Sequence, residues 1–357
     1  MAIPKQKINV SPQFSALPDP SLRYGLQIFV NPKVVRCPWH TSWTEGEWRS
    51  ENISIQESHD RRVRTTSEKI SAWLDETCHT ARVIRIPKNF RATQPVKIIF
   101  SGGNTATCGR LLVIAEEGSD CDVIFTDATQ SSDCAFSIDI TLQKNAAVRW
   151  HTTFSQQHVA QRFVSTSVDV AHGGQFERYA MNRGATYGFD RTEIILAGTG
   201  AAATCYSAQV GSKDDCIDNA TTIVHRANAT TSLLRSYDVL AGHARAIVRH
   251  RTIIDEQATK ASAHQQERAL LLNERTEIDT QPHLEIMTND VVSGHSASVT
   301  RLDAEKIFYL TSRGLSEHDA RQMIVTGFFA PVSEKIARVG AISLDEISIL
   351  VASICKI

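Results

Sequence analysis

Between residues 91 and 300 the chain alternates apolar and polar positions with a period of two. The alternation comes in short runs: RLLVIA, CDVIFTD, FSIDITL, AAVRWHTTF, FVSTSVDV, EIILAG and RAIVRH. Their weight of Val, Ile and Thr predicts half-buried β-strands. Turn-forming residues recur between the runs at Gly118, Asn145, Gly173, Gly200 and Asn228, a spacing of roughly 27 residues that suits a stacked repeat. Proline is absent from 96 to 281, so no strand in this stretch lacks a backbone donor. A β-sandwich also has many strands, but evenly spaced, proline-poor strands fit a β-helix better.

From Asp303 the period becomes helical. Asp303 is placed to N-cap AEKIFYLTSR, and Gly314 supplies a left-handed stop. Ser316-Glu-His-Asp319 reads as a capping box for a second helix, with Ala320, Met323 and Ile324 facing inward. Val332, Ile336 and Val339 form a third apolar face that ends at Gly340. Ser343 then opens a fourth helix burying Leu344, Ile347, Leu350, Val351 and Ile354. Upstream, residues 1–90 hold Trp39, Trp43, Trp48 and Trp73, with one amphipathic helix in SEKISAWLDETCHTA (Ile70, Trp73, Leu74 and Cys78). The reading is therefore mainly β. It has an N-terminal, partly helical region (1–90), a β-helix core (91–300) and a C-terminal helical cluster (301–357).

Composition narrows the function classes. Thirty-eight Lys and Arg against 39 Asp and Glu leave a net charge of −1, no basic excess for nucleic acid or an anionic membrane. No secretory pattern opens the chain and no run of eighteen apolar residues occurs, so a cytoplasmic protein is expected. Eight cysteines show no CxxC spacing and read as reduced thiols. Cys108, Cys121 and Cys134 are evenly spaced, so Cys108 and Cys134 could stack on adjacent coils; inert buried thiols are the simpler reading. Gly198-Thr-Gly200-Ala-Ala-Ala203 fits G-x-G-x-x-A, but the β-like TCYSAQVG after it gives a pyrophosphate no helix terminus. No phosphate-binding loop, G-x-S-x-G or H-E-x-x-H is present, so neither nucleotide binding nor catalysis by this chain is expected. A β-helical carbohydrate-active enzyme would need paired carboxylates on one outer face, and no acidic ladder stands out.

One stretch carries a resemblance. Leu284-Glu285-Ile286, Asp290-Val291, His295, Phe308-Tyr309-Leu310, Ser312-Arg313-Gly314, Ala320-Arg321 and Phe328 together resemble the signature of the SufB/SufD family. Leu270-Leu271-Leu272, Val224-His225 and Glu47-Trp48-Arg49 are similar to further family features. The resemblance implies a right-handed parallel β-helix between two helical parts. It also implies a scaffold that pairs as a SufB–SufD heterodimer, binds a SufC-like ATPase and assembles a transient iron–sulfur cluster at the subunit junction. On that basis His295 is the candidate iron ligand, since imidazole suits iron. Phe308, Tyr309, Arg313 and Phe328 are the candidate ATPase-docking residues. Ser293 departs from the family, many members carrying Cys there, and serine is a poor soft ligand. Ser296 stands where SufB-type chains usually have Glu, which places the chain nearer SufD. The partner is expected to be a SufB-like subunit or a second copy. A divergent paralogue that keeps the contact surfaces without the cluster chemistry is the alternative.

Overall fold

The computed structural model describes residues 40–41, 54–58, 81–101, 107–127, 133–154, 161–337 and 344–355. The strands are β1 (His40–Thr41), β2 (Ser54–Ser58), β3 (Ala81–Ile86), β4 (Val96–Ser101), β5 (Thr107–Ala115) and β6 (Asp120–Asp127). They continue with β7 (Asp133–Leu142), β8 (Ala147–Phe154), β9 (Gln161–Val170), β10 (Gln175–Arg183), β11 (Tyr187–Leu196) and β12 (Ala202–Gly211). The last six are β13 (Cys216–His225), β14 (Thr231–Leu240), β15 (Arg245–Ile254), β16 (Ala261–Leu271), β17 (Glu277–Ile286) and β18 (Val291–Arg301). From β3 onward each strand pairs in parallel with the strand two places along, giving two nine-stranded sheets among the described residues: the even strands β4 to β18 with β1 at their edge, and the odd strands β3 to β17 with β2 at theirs. The chain therefore coils as a β-solenoid, laying one strand in each sheet per turn. At the start of the coil the pairing changes sign: β1 lies antiparallel to β4 and β2 antiparallel to β3.

The turns explain the sequence spacing. Left-handed backbone recurs at Asn89, Gly118, Asn145, Gly173, Gly200, Ala229 and Lys260, one per coil where an odd strand hands over to an even one. Gly173 shows why glycine is needed: besides its positive φ, a Cβ there would collide with the Asn145 side chain one coil earlier. At the fifth expected turn the left-handed residue is Ala229, one place beyond Asn228. Asn228 instead accepts a hydrogen bond from the Thr199 hydroxyl at 2.7 Å, so its side chain serves the turn while its neighbour takes the strain.

The interior is apolar at the early coils. Ile84, Ile86, Val113, Phe136, Ile138, Phe125 and Trp150 are all buried, and Phe125 stacks on Trp150 at 6.0 Å between centroids. Each such side chain contributes about 1.5–3 kcal/mol of burial free energy.

Three helices follow: α1 (Ala304–Ser312), α2 (Glu317–Ala337) and α3 (Leu344–Cys355). Asp303 caps α1, its carboxylate accepting from the Glu305 amide at 2.9 Å. Ser316 accepts from the Asp319 amide at 3.1 Å and donates to its carboxylate at 2.6 Å. Val325, Phe329, Val332 and Ile336 of α2 pack on Tyr179, Met181, Tyr206, Ala208, Tyr237 and Val239 of the even-strand sheet, and α3 adds Ile347, Leu350, Val351 and Ile354.

Two helical expectations are corrected. The second and third expected helices are one continuous helix, α2, which runs through Pro331. Pro331 and Gly327, four residues earlier, are both on the exposed side, where the lost hydrogen bond and the ring meet solvent and not the core. Met323, expected inward, is 52% exposed, because the face centred on Val325, Phe329 and Val332 is the one that meets the sheet. Val339, Gly340, Ser343 and the helix expected around Trp73 lie outside the described residues.

Candidate junction and docking surfaces

Among the described residues, β17 and β18 are the last strands of their sheets, with no strand beyond either. Their outer N–H and C=O groups form two side-by-side edges. The inward face at this end is a core cut open. Ile286 (42% exposed), the adjoining Met287 (58%) and Val299 (46%) stand bare, and Val292 (65%) flanks them on the outward face. Proline enters the coil at Pro282 on this edge strand, the place in a sheet where it is tolerated.

His295 lies on this mouth. It is in register with Gln265 and ends a row that runs back through Leu234, Cys205, Arg178 and Trp150. All four earlier members of the row and Gln265 are buried, while His295 is exposed. Its row is thus an interior row that reaches solvent only because the solenoid stops. Ser293, two residues earlier, belongs to the same face of β18 and is in register with the buried Ala263. Ser296 falls on the other face. Among the described residues no three His, Cys, Asp or Glu side chains gather closely enough to hold a metal ion.

On the outward face of β17, Glu285 lies 3.0 Å from His283 and pairs with Arg251 of β15. The Arg251 bond, then the His283 bond, hold its carboxyl below the usual carboxylate range.

The four expected docking residues separate into two groups. Phe308 (74% exposed) and Tyr309 (57%) stand out from α1, and the Arg313 guanidinium lies over the Tyr309 ring at 5.4 Å. Phe328 is half-buried on α2. It meets Tyr237 and Phe329 edge-on at 5.7 Å each, with the Arg268 guanidinium 5.3 Å above its ring. Phe328 therefore fastens α2 to the sheet and does not stand beside Phe308 and Tyr309 as a third projecting ring.

The thiol-ladder possibility fails on register. Cys134 is opposite Thr107, Cys108 is opposite Ala135, and Cys121 belongs to the other sheet, opposite Val148. Burial pushes the Cys121 and Cys205 thiols up to about 12, so both stay protonated and unreactive.

Sequence reasoning passed over one set of residues altogether: polar side chains inside the later coils, Arg178, Asn182, Asp190, Gln209, Asn219, Asp238, His250 and Glu267, all buried. The available signal was their parity, since each occupies a position that earlier strands fill with Ile, Val or Phe.

Two sheet edges without a described neighbour, followed by a helix with exposed aromatic rings, mark one end of a β-solenoid. The family described as SUF system FeS cluster assembly, SufBD core domain, matches residues 98–328. The chain belongs to the SufB/SufD family, close to SufD, whose members are components of iron–sulfur cluster assembly. Iron-sulfur cluster assembly protein SufD of Bacillus subtilis (strain 168) is 27% identical over 289 residues, covering 77% of this chain and 64% of that protein. An iron-sulfur cluster assembly SufBD family protein of Staphylococcus epidermidis (strain ATCC 12228 / FDA PCI 1200) is 26% identical over 291 residues, covering 80% and 63%. The chain thus spans a little under two thirds of the length of these relatives. No helix among the described residues is long and apolar enough to cross a membrane.

Proposed function

We propose that this chain is a SufD-like scaffold subunit. In this reading its β17–β18 end joins the matching edges of a SufB-like chain, and α1 presents Phe308, Tyr309 and Arg313 to a SufC-like ATPase. The iron–sulfur cluster is cargo, assembled at the joint with His295 as one ligand. The observation that carries the reading is the coincidence, at one end of the solenoid, of two bare sheet edges, an open core and the histidine row. Sheet edges gain main-chain hydrogen bonds from a partner strand, and the bare Ile286, Val292 and Val299 gain burial. Ser293 beside His295 gives this subunit a hard oxygen where a thiolate would bind iron better, so the partner supplies most ligands.

Anaerobic reconstitution of the complex, with wild type and His295→Ala, tests the ligand role. Bound iron and cluster absorption should fall in the variant while the complex stays intact. Equal loading would remove His295 from the ligand set and favour the alternative, a paralogue that keeps the contacts without the chemistry.

A further inference from the structure

The inside of the solenoid changes character along its axis. Beyond Trp150 several inward positions turn polar beside apolar ones such as Ile194, Ile223, Leu234 and Val248, and most of these polar groups meet across the two sheets. Arg178 of β10 donates to Asp190 Oδ2 of β11 at 2.8 Å, and Asn182 donates to the same oxygen at 3.0 Å. One coil on, Asn219 of β13 donates to Gln209 Oε1 of β12 at 3.2 Å. Asp238 of β14 is in register with Gln209 and accepts from Ser236 at 3.3 Å. His250 Nδ1 of β15 then lies 3.0 Å from Glu267 Oε1 of β16. Thr252 donates to Gln265 Oε1 at 3.1 Å, and Gln265 donates to the His283 carbonyl at 3.2 Å. Gln265 neighbours His295 at the mouth. The exposure of these side chains runs from 0% at Glu267 to 7% at Asp190.

These contacts leave much unsatisfied. Asn182 Oδ1, Asp190 Oδ1, Gln209 Nε2, Asn219 Oδ1, Asp238 Oδ1 and Glu267 Oε2 are buried with no hydrogen-bond partner in the protein. One such group costs about 1–3 kcal/mol, and six in one line would cost on the order of 10 kcal/mol, the scale of a whole domain's stability. Such a cost favours a bonding partner for them. Five are acceptors and one, the Gln209 amide nitrogen, is a donor, so the partner must both donate and accept. Water does both, and it makes about three bonds at such sites. A cation satisfies only the oxygens.

We propose that the later coils enclose a file of water running from Asp190 to the open end at His295, and that Asp238 holds one exchangeable proton on it. Glu267 of β16 is the charged group that acts on Asp238, and β12 brings the uncharged Gln209 into register with it. Asp238 and Glu267 are both buried, and the charge of one opposes ionisation of the other. Burial first, then the Glu267 charge, raises Asp238 to about 7, which puts its proton in exchange at neutral pH. The proton moves from a donor at the mouth along the water file to a carboxylate oxygen, with no change of electron count. Thiol ligands lose protons when they take a metal, and a buried acceptor behind the joint would receive them. That use rests on the assembly role proposed above; the file and its proton do not.

Two measurements on the isolated chain decide the matter. A high-resolution crystal structure should show ordered water in hydrogen-bond contact with Asn219 Oδ1, Asp238 Oδ1 and Glu267 Oε2; a seam whose side chains pair dry with one another overturns the proposal. Infrared titration should show a protonated carboxyl that loses about one proton near neutral pH; Asp238→Asn should abolish that step, and Glu267→Gln should move it to lower pH by removing a like charge. A step unchanged in both variants, or no protonated carboxyl at mildly acidic pH, overturns the proton site. A wet, titrating seam in a chain that assembles no cluster would defeat only the assembly reading.

Discussion

His225 shows how a single buried ring makes stability depend on pH. Its Nδ1 and Nε2 each lie 2.8 Å from a hydroxyl, of Thr230 and Ser232, so the ring is held neutral, accepting at one nitrogen and donating at the other. Burial lowers its pKa from 6.5 to about 4. Above 6.5 the ring is neutral folded or unfolded and contributes no pH dependence. As pH falls from 6.5 to about 4 the unfolded chain takes a proton that the folded chain refuses, and stability drops by on the order of 3 kcal/mol. Asp238 has the opposite sign. Its folded pKa of about 7 against a usual 3.8 means that the folded chain holds the extra proton, so stability rises as pH falls from 7 towards 3.8. Urea unfolding between pH 8 and 4.5 should therefore move in opposite directions in two variants. His225→Gln should remove the acid loss. Asp238→Asn should stabilise the chain at pH 8 by on the order of 4 kcal/mol and steepen the fall below pH 6.5. Parallel curves for wild type and both variants would refute these assignments.

Among the elements, the strands and turns were the most legible in the sequence, because a period of two and a left-handed residue per coil are both written directly in residue type. Ala229 was hidden because alanine carries no turn signal and Asn228 beside it does. The continuity of α2 through Pro331 was hidden because a proline stops a helix unless its ring and the freed carbonyl face solvent, which only the packing decides. The polar interior was unreadable for a related reason: alternation tells which residues share a face, not whether that face is dry. His295 and the α1 aromatics came from family resemblance, since no periodicity marks a ligand or a docking ring. The helices also carry a discriminating prediction. Phe308→Ala with Tyr309→Ala should leave the melting temperature nearly unchanged, both rings being exposed, yet weaken ATPase binding by at least tenfold as expected for a hot spot. Phe328→Ala should instead destabilise the chain by about 2 kcal/mol, because it removes contacts to Tyr237, Phe329 and Arg268. Calorimetry and binding titration on the same variants would show whether the two effects divide in this way.

At the scale of the molecule, the two ends of the solenoid differ. At the start, antiparallel β1 and β2 lie on the outermost parallel strands β4 and β3, and a reversal of direction there interrupts the parallel stack. At the other end β17 and β18 keep the parallel direction and have no described neighbour, so this is the end where a further coil could be added. Adding one from a second chain would pair edge groups that otherwise rely on water and would cover Ile286, Val292 and Val299. Lysine on an edge strand opposes such pairing, since its charge loses hydration when another strand arrives. Val292→Lys with Val299→Lys should therefore weaken the joint with a SufB-like chain by at least tenfold, about 1.4 kcal/mol. The stability of the lone chain should barely change, because both positions are largely exposed before pairing. Sedimentation of the co-expressed chains should show the complex dissociating at concentrations where wild type stays paired. If the double variant remains fully paired, the chains join through another surface, and the open mouth with His295 is then a solvent-facing terminus instead of a seam.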